Sequence, residues 1–198
     1  VALNHPHGTA SEAIMPLFHA WLPLLALVSG LAFVAVERRV RVLLMDWRQL
    51  RNRAFAAAIG VNSVLHLTMM GALFLGPLLV VRGFGLGDTA GGMLMVVVQS
   101  SVVGTAFLGG WLYDRTRAPW IRPAATMPLA LGFLGWAMAA RTGSYAGVLL
   151  AGFIAGLGSG VLLSSNNAVI MASLPADAQG VASGMLETTR HFGHAFGV

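Results

Sequence analysis

Polar residues punctuate this chain instead of alternating along it. Between them run long apolar stretches at 14–36, 55–81, 91–113, 122–140 and 147–172, and a sixth extends from about Gly180 to the last residue, Val198. A helix crosses a hydrocarbon core with about 20 apolar residues, and the first five stretches are near or above that length. Residues 93–112, "MLMVVVQSSVVGTAFLGGWL", show no period-two alternation, so barrel strands are not expected. Pro16, Pro23, Pro77 and Pro128 fall inside the runs, which membrane helices tolerate because neighbours re-satisfy the freed backbone groups. The expected fold class is all-α, a polytopic membrane helix bundle with about six transmembrane helices.

Composition strengthens this reading. Only 10% of the residues are charged, 57% are apolar and the mean hydropathy is +0.76, too few polar groups to cover a soluble domain of this size. The net charge of +5 comes entirely from arginines. These cluster between apolar runs, which orients a membrane protein and does not make a nucleic-acid face. No cysteine is present, which removes disulfides, thiolate metal sites and cysteine nucleophiles. The leading "VALNHPHGTASEA" is polar and lacks the basic region of a signal peptide. Because it starts without Met and stops inside an apolar segment, the chain is expected to be an internal piece of a longer protein.

Arginines set the orientation. The link between the first two segments holds Arg38, Arg39, Arg41, Arg48, Arg51 and Arg53, and the link between the third and fourth holds Arg115, Arg117 and Arg122. The intervening links hold only Arg82 and Arg141. By the positive-inside rule, 37–54, 114–121 and 173–179 are expected to be cytoplasmic and 1–13 extracytoplasmic, in a plasma (inner) membrane. This gives a transmembrane helix at 14–36, an arginine-rich linker at 37–54 and a bundle at 55–198 whose last helix is truncated.

The passage "GGWLYDRTRAPW", residues 109–120, carries the pattern G-x-L-x-D-R in Gly110, Leu112, Asp114 and Arg115. It resembles the signature of the major facilitator superfamily, which usually continues with Gly and a basic residue where Arg117 and Ala118 stand. Residues 33–55, "FVAVERRVRVLLMDWRQLRNRAF", look like the link into the second half of the fourteen-helix branch, which contains drug/proton antiporters. Residues 174–198, with Gly-x-Ala-Ser-Gly and then Thr-x-Arg, resemble the entry to that branch's thirteenth helix. The resemblance implies a major-facilitator-type C-terminal half, roughly helices eight to thirteen. It further implies alternating access around a midplane cavity, and a cytoplasmic latch built from Gly110, Asp114 and Arg115.

Candidate chemistry lies deep in the spans. Asn62 and His66 are four apart and so share a helix face, with His66 about twelve residues, or roughly 18 Å, into its segment. Gln99 lies near the middle of the third segment. Asn62, His66 and Gln99 are the expected substrate-binding residues, and His66 is a candidate for proton coupling because imidazole titrates near neutrality. Glu187, within a turn of Arg190, is a second coupling candidate; equally, it pairs with a snorkelling arginine at the interface. Gly152, Gly156, Gly160, Gly193 and Gly197 are expected to serve close helix packing. The expected partners are a small-molecule substrate, protons, the lipid bilayer and the N-terminal half of the same protein, with no cofactor and no metal. The alternatives are a non-transporting membrane subunit or receptor, and an intramembrane serine protease using Ser159, the only enzyme among these readings.

Overall fold

The computed structural model describes residues 21, 24–36, 39 and 47–197. It divides into two compact units, Val1–Leu44 and Met45–Val198. Within the first unit, α1 spans Leu24–Val36 and its side chains are exposed. The leading loop 1–13, the start of the first expected span and most of the arginine-rich linker lie outside the described residues.

In the second unit a short 3-10 helix, Trp47–Arg51, leads to α2, Arg53–Leu78. Asn52 starts α2: its Oδ1 accepts from the backbone of Ala54 and Phe55, while its Nδ2 donates to the Ser173 carbonyl at 2.9 Å. One side chain thus satisfies orphan donors at a helix start and ties that start to the end of another helix. Near the far end, Pro77 removes a backbone donor, and the last turn widens into a π-helical Leu79–Gly83. Helices α3 (Asp88–Thr116), α4 (Ile121–Thr142) and α5 (Tyr145–Ala172) follow, then a 3-10 turn, Ala176–Ala178, and α6 (Gln179–Phe196).

These helices outrun the apolar segments. In particular α3 continues through Asp114 and Arg115, which therefore sit in its last turn and not in the connecting loop. The helix ends only at Arg117, whose φ of 47° is left-handed and whose N–H bonds the Tyr113 carbonyl at 2.7 Å. Charge stops an apolar run but not a helix, because terminal side chains reach water or headgroups. α4 stops at Gly143, φ 65°, the usual left-handed helix end. Among the described residues, four helices are long and apolar enough to cross a membrane: α2 with its π turn, α3, α4 and α5. α6 is shorter and two-faced, with Val181, Ala182, Met185 and Leu186 buried and Glu187 and His191 exposed.

α5 is the hub, flanked by α3 and α4 and touching α2 and α6. Three apolar clusters hold the bundle. At one end Phe55, Ala58, Ile170, Leu174, Ala182 and Met185 join α2, α5 and α6. At the other, Val80, Leu94, Ala139 and Val148 join α2 to α5. Leu65, Ala125 and Leu162 meet midway. The outer surface stays apolar: Phe107 is 78% exposed and Val103 and Met138 are 70% exposed. Such a surface suits lipid and is foreign to water.

Candidate functional site

Two features interrupt the close-packed interior. The first is a cavity of about 40 Å³ among α2, α3, α4 and α5, lined by Met69, Met95, Gln99, Phe133, Trp136 and Ser159 among others. Phe133 and Trp136 meet edge to face, 6.0 Å between centroids, and the Trp136 indole N–H donates to the Val148 carbonyl at 2.8 Å. Ser159 donates to Ala155 in its own helix, and the amide of Gln99, which is exposed, stands at the rim of this wall. The volume accommodates a few waters, not a drug-sized molecule. An apolar groove of about 530 Å³ runs beside it between α2 and α4, with Thr68 and Thr126 its polar groups, and Phe133 belongs to both walls.

The second feature is the seam between α2 and α6. Asn62, fully buried, donates from Nδ2 to the Leu186 carbonyl at 3.1 Å and to Thr189 Oγ1 at 3.0 Å. One turn on, His66 Nδ1 lies 3.0 Å from His194 Nε2. Asn62 Oδ1 and His66 Nε2 are buried without partners. The backbones can approach this closely because α6 carries glycine at the crossing: a Cβ on Gly193 would lie 2.7 Å from the Ser63 carbonyl oxygen and 2.8 Å from His66 Cβ. Gly197 meets Leu67 and Met70 in the same way. Glu187 pairs with Arg190 at 3.0 Å on the outer side of α6.

Asn62 and His66 therefore share a site with α6, whereas Gln99 belongs to the separate α3 cavity. Thr189, His194, Phe133 and Trp136 join the candidate residues on structural grounds. A second histidine in an apolar segment was a usable signal for His194; nothing in the local pattern marks Thr189. Asn166, also fully buried, donates to the Ala58 carbonyl at 2.8 Å and stitches α5 to α2.

The stripe Gly152, Gly156 and Gly160 faces α3, where added Cβ atoms would run into Val98, Ser101, Val102 and Thr105. Opposite it, Gly158 meets Leu129 and Ala125 of α4, and Gly132 of α4 meets Ala155. The hub helix is thus close-packed on two sides.

Residues 9–198 match the Major Facilitator Superfamily. The chain belongs to that superfamily. It is 26% identical over 161 residues to the uncharacterized MFS-type transporter YvkA of Bacillus subtilis, covering 81% of this chain and 36% of that protein. It is 25% identical to the uncharacterized transporter YebQ of Escherichia coli over 96% of this chain and 41% of that one. The riboflavin transporter RibZ of Clostridioides difficile is 25% identical over 89% of this chain and 39% of its own length. The chain spans well under half the length of these curated relatives, and no solved structure matches it.

The G-x-L-x-D-R stretch has its own geometry here. Asp114 is exposed and has no ion-pair partner among the described residues, while Arg115 lies over the Trp111 ring, 5.8 Å from its centroid. Gly110 is half-buried with Ser164 at ordinary contact distance; the close approach belongs to Gly109, where a Cβ would lie 2.7 Å from Val161 Cα. Arg117, where the resemblance implies glycine, holds a left-handed φ of 47°.

Proposed function

We propose that this chain is part of the second half of a secondary active transporter of the fourteen-helix drug/proton antiporter type, exporting small organic solutes by alternating access. The observation that carries the reading is the partly unpartnered polar group of Asn62 and His66, buried within an apolar span. Such groups are costly in a membrane and mark substrate or ion paths. In this reading Gln99 and the apolar groove contact solute, while His66 and Glu187 carry the proton coupling. The Asp114 end of α3 faces the cytoplasm, as the arginine distribution favours, and latches against the N-terminal half. Protons entering down the membrane potential supply about 2.3 kcal/mol per charge per 100 mV.

The test uses the full-length protein in an efflux-deficient bacterium loaded with ethidium, with and without a protonophore. Efflux above the vector control that the protonophore abolishes supports proton-driven export. Efflux that survives the protonophore removes the coupling. No efflux, with the protein present in the membrane, removes ethidium as a substrate. The similarity to RibZ makes riboflavin the next solute to try in the same cells.

A further inference from the structure

The α2–α6 seam holds more proton chemistry than a single buried histidine. The rings of His66 and His194 stand 4.9 Å apart between centroids and at 73° to each other, with facing nitrogens at 3.0 Å. Two imidazole nitrogens at that distance are joined by one hydrogen between them. When both rings are neutral, that hydrogen fills the contact and the second N–H sits on an outer nitrogen. One added proton leaves the contact intact, gives both outer nitrogens an N–H, and makes the hydrogen bond charge-assisted. A second added proton puts N–H on both facing nitrogens, and two cations then oppose each other. The contact therefore exists at pair charges of zero and one, and not at two.

The surroundings give this pair a direction. His191 is exposed and lies 6.3 Å from His194 between ring centroids, His194 is half-buried, and His66 is buried with Nε2 unpartnered. The three imidazoles descend from the surface of α6 to the wall of α2. Half-buried Arg190 of α6 also acts on the pair, while its ion-pair partner Glu187 lies on the exposed side of that helix. The ionisable groups of α3 and α5 lie near their ends, at Asp88, Tyr113, Asp114 and Arg115 on one and Tyr145 on the other. On α2 and its flanking turns the nearest in sequence are Arg53 and Arg82, each about 20 Å or more along the axis from His66 at 1.5 Å per residue. Asp177 is similarly remote, before the start of α6.

We propose that His66 and His194 form one proton-binding site, fed through His191, whose second proton opens the contact between α2 and α6. That this opening serves solute transport rests on the reading above; the proton site itself does not. Gly193 and Gly197 keep the two backbones in contact, so the change is a local slip of α6 and not a separation of helices.

The experiment is nitrogen-15 NMR of the histidine-labelled full-length protein in lipid vesicles between pH 8 and pH 3, with H66Q and H194Q for assignment. The expected result is a through-hydrogen-bond coupling between His66 Nδ1 and His194 Nε2 that disappears on the acid side. Two protonation steps at least about one pH unit apart accompany it, and in H194Q the remaining His66 titrates in a single step. Independent single steps, no coupling at any pH and a His66 unmoved by H194Q overturn the proposal. The coupling is read on the unaltered protein, so the answer does not hang on either variant folding. Solute flux in the same vesicles separates the two ideas. Two-step titration without flux at any pH counts against the transport reading and upholds the pair. Gradient-driven flux with independent titrations counts against the pair alone.

Discussion

Arg117 is the one residue other than glycine with a left-handed φ among those described. A Cβ in that conformation costs roughly 1–2 kcal/mol, and the turn's bonds, from Arg117 N–H to the Tyr113 carbonyl and from Ala118 N–H to Thr116 Oγ1, do not need the guanidinium. Arg117→Gly is therefore expected to raise the apparent melting temperature of the full-length protein in detergent, by the equivalent of about 1 kcal/mol. Arg117→Ala, which keeps the Cβ, should give no such gain; equal gains from both would assign the effect to charge. The same scale shows what the sequence pattern could and could not convey. Asn62 and His66 stood out because polar groups deep in an apolar run on one helical face are few. Their pairing did not, since Thr189 and His194 lie well over a hundred positions away and the Leu186 partner is a backbone carbonyl, which no residue type announces.

At the scale of elements, glycine position decides which helices touch. Gly160 and Gly104 are both glycines inside apolar helices, yet a Cβ on the first would meet the Val102 carbonyl and Ala106 N, whereas one on the second meets nothing within 4 Å. Gly160→Ala should cost about 1–3 kcal/mol through overpacking of α5 on α3. Gly104→Ala should be neutral, or stabilising by up to about 1 kcal/mol from helix propensity. Thermal unfolding of the two variants in parallel checks the pair; equal costs would mean that the stripe is not a packing surface. The four-residue spacing of that stripe was legible directly. The α4-facing side of α5 was not, because Ala151, Ala155 and Gly158 suit a lipid-facing surface equally well. Helix ends were misjudged for a related reason: hydropathy reports where lipid ends, and the hydrogen-bonded helix continues past it.

At the scale of the whole molecule, the exposed end of α3 carries a carboxylate, Asp114, that the described bundle leaves without an ion pair, although acid and arginine stand together there. A charge kept at such a place is expected to act on a neighbouring bundle. Asp114→Asn in the full-length protein should slow transport several-fold while leaving membrane insertion and melting temperature unchanged. Wild-type rates at normal expression would reduce the turn to an anchor. One indole, meanwhile, turns the bundle into its own instrument. Trp136 lines the cavity beside Gln99 while its N–H is fixed to Val148, and Trp111 and Trp120 lie at the exposed margin. Water entering or leaving that cavity changes the polarity around a ring held by its hydrogen bond to Val148. The difference in emission between the protein and W136F thus supplies an optical signal for occupancy, with no label attached.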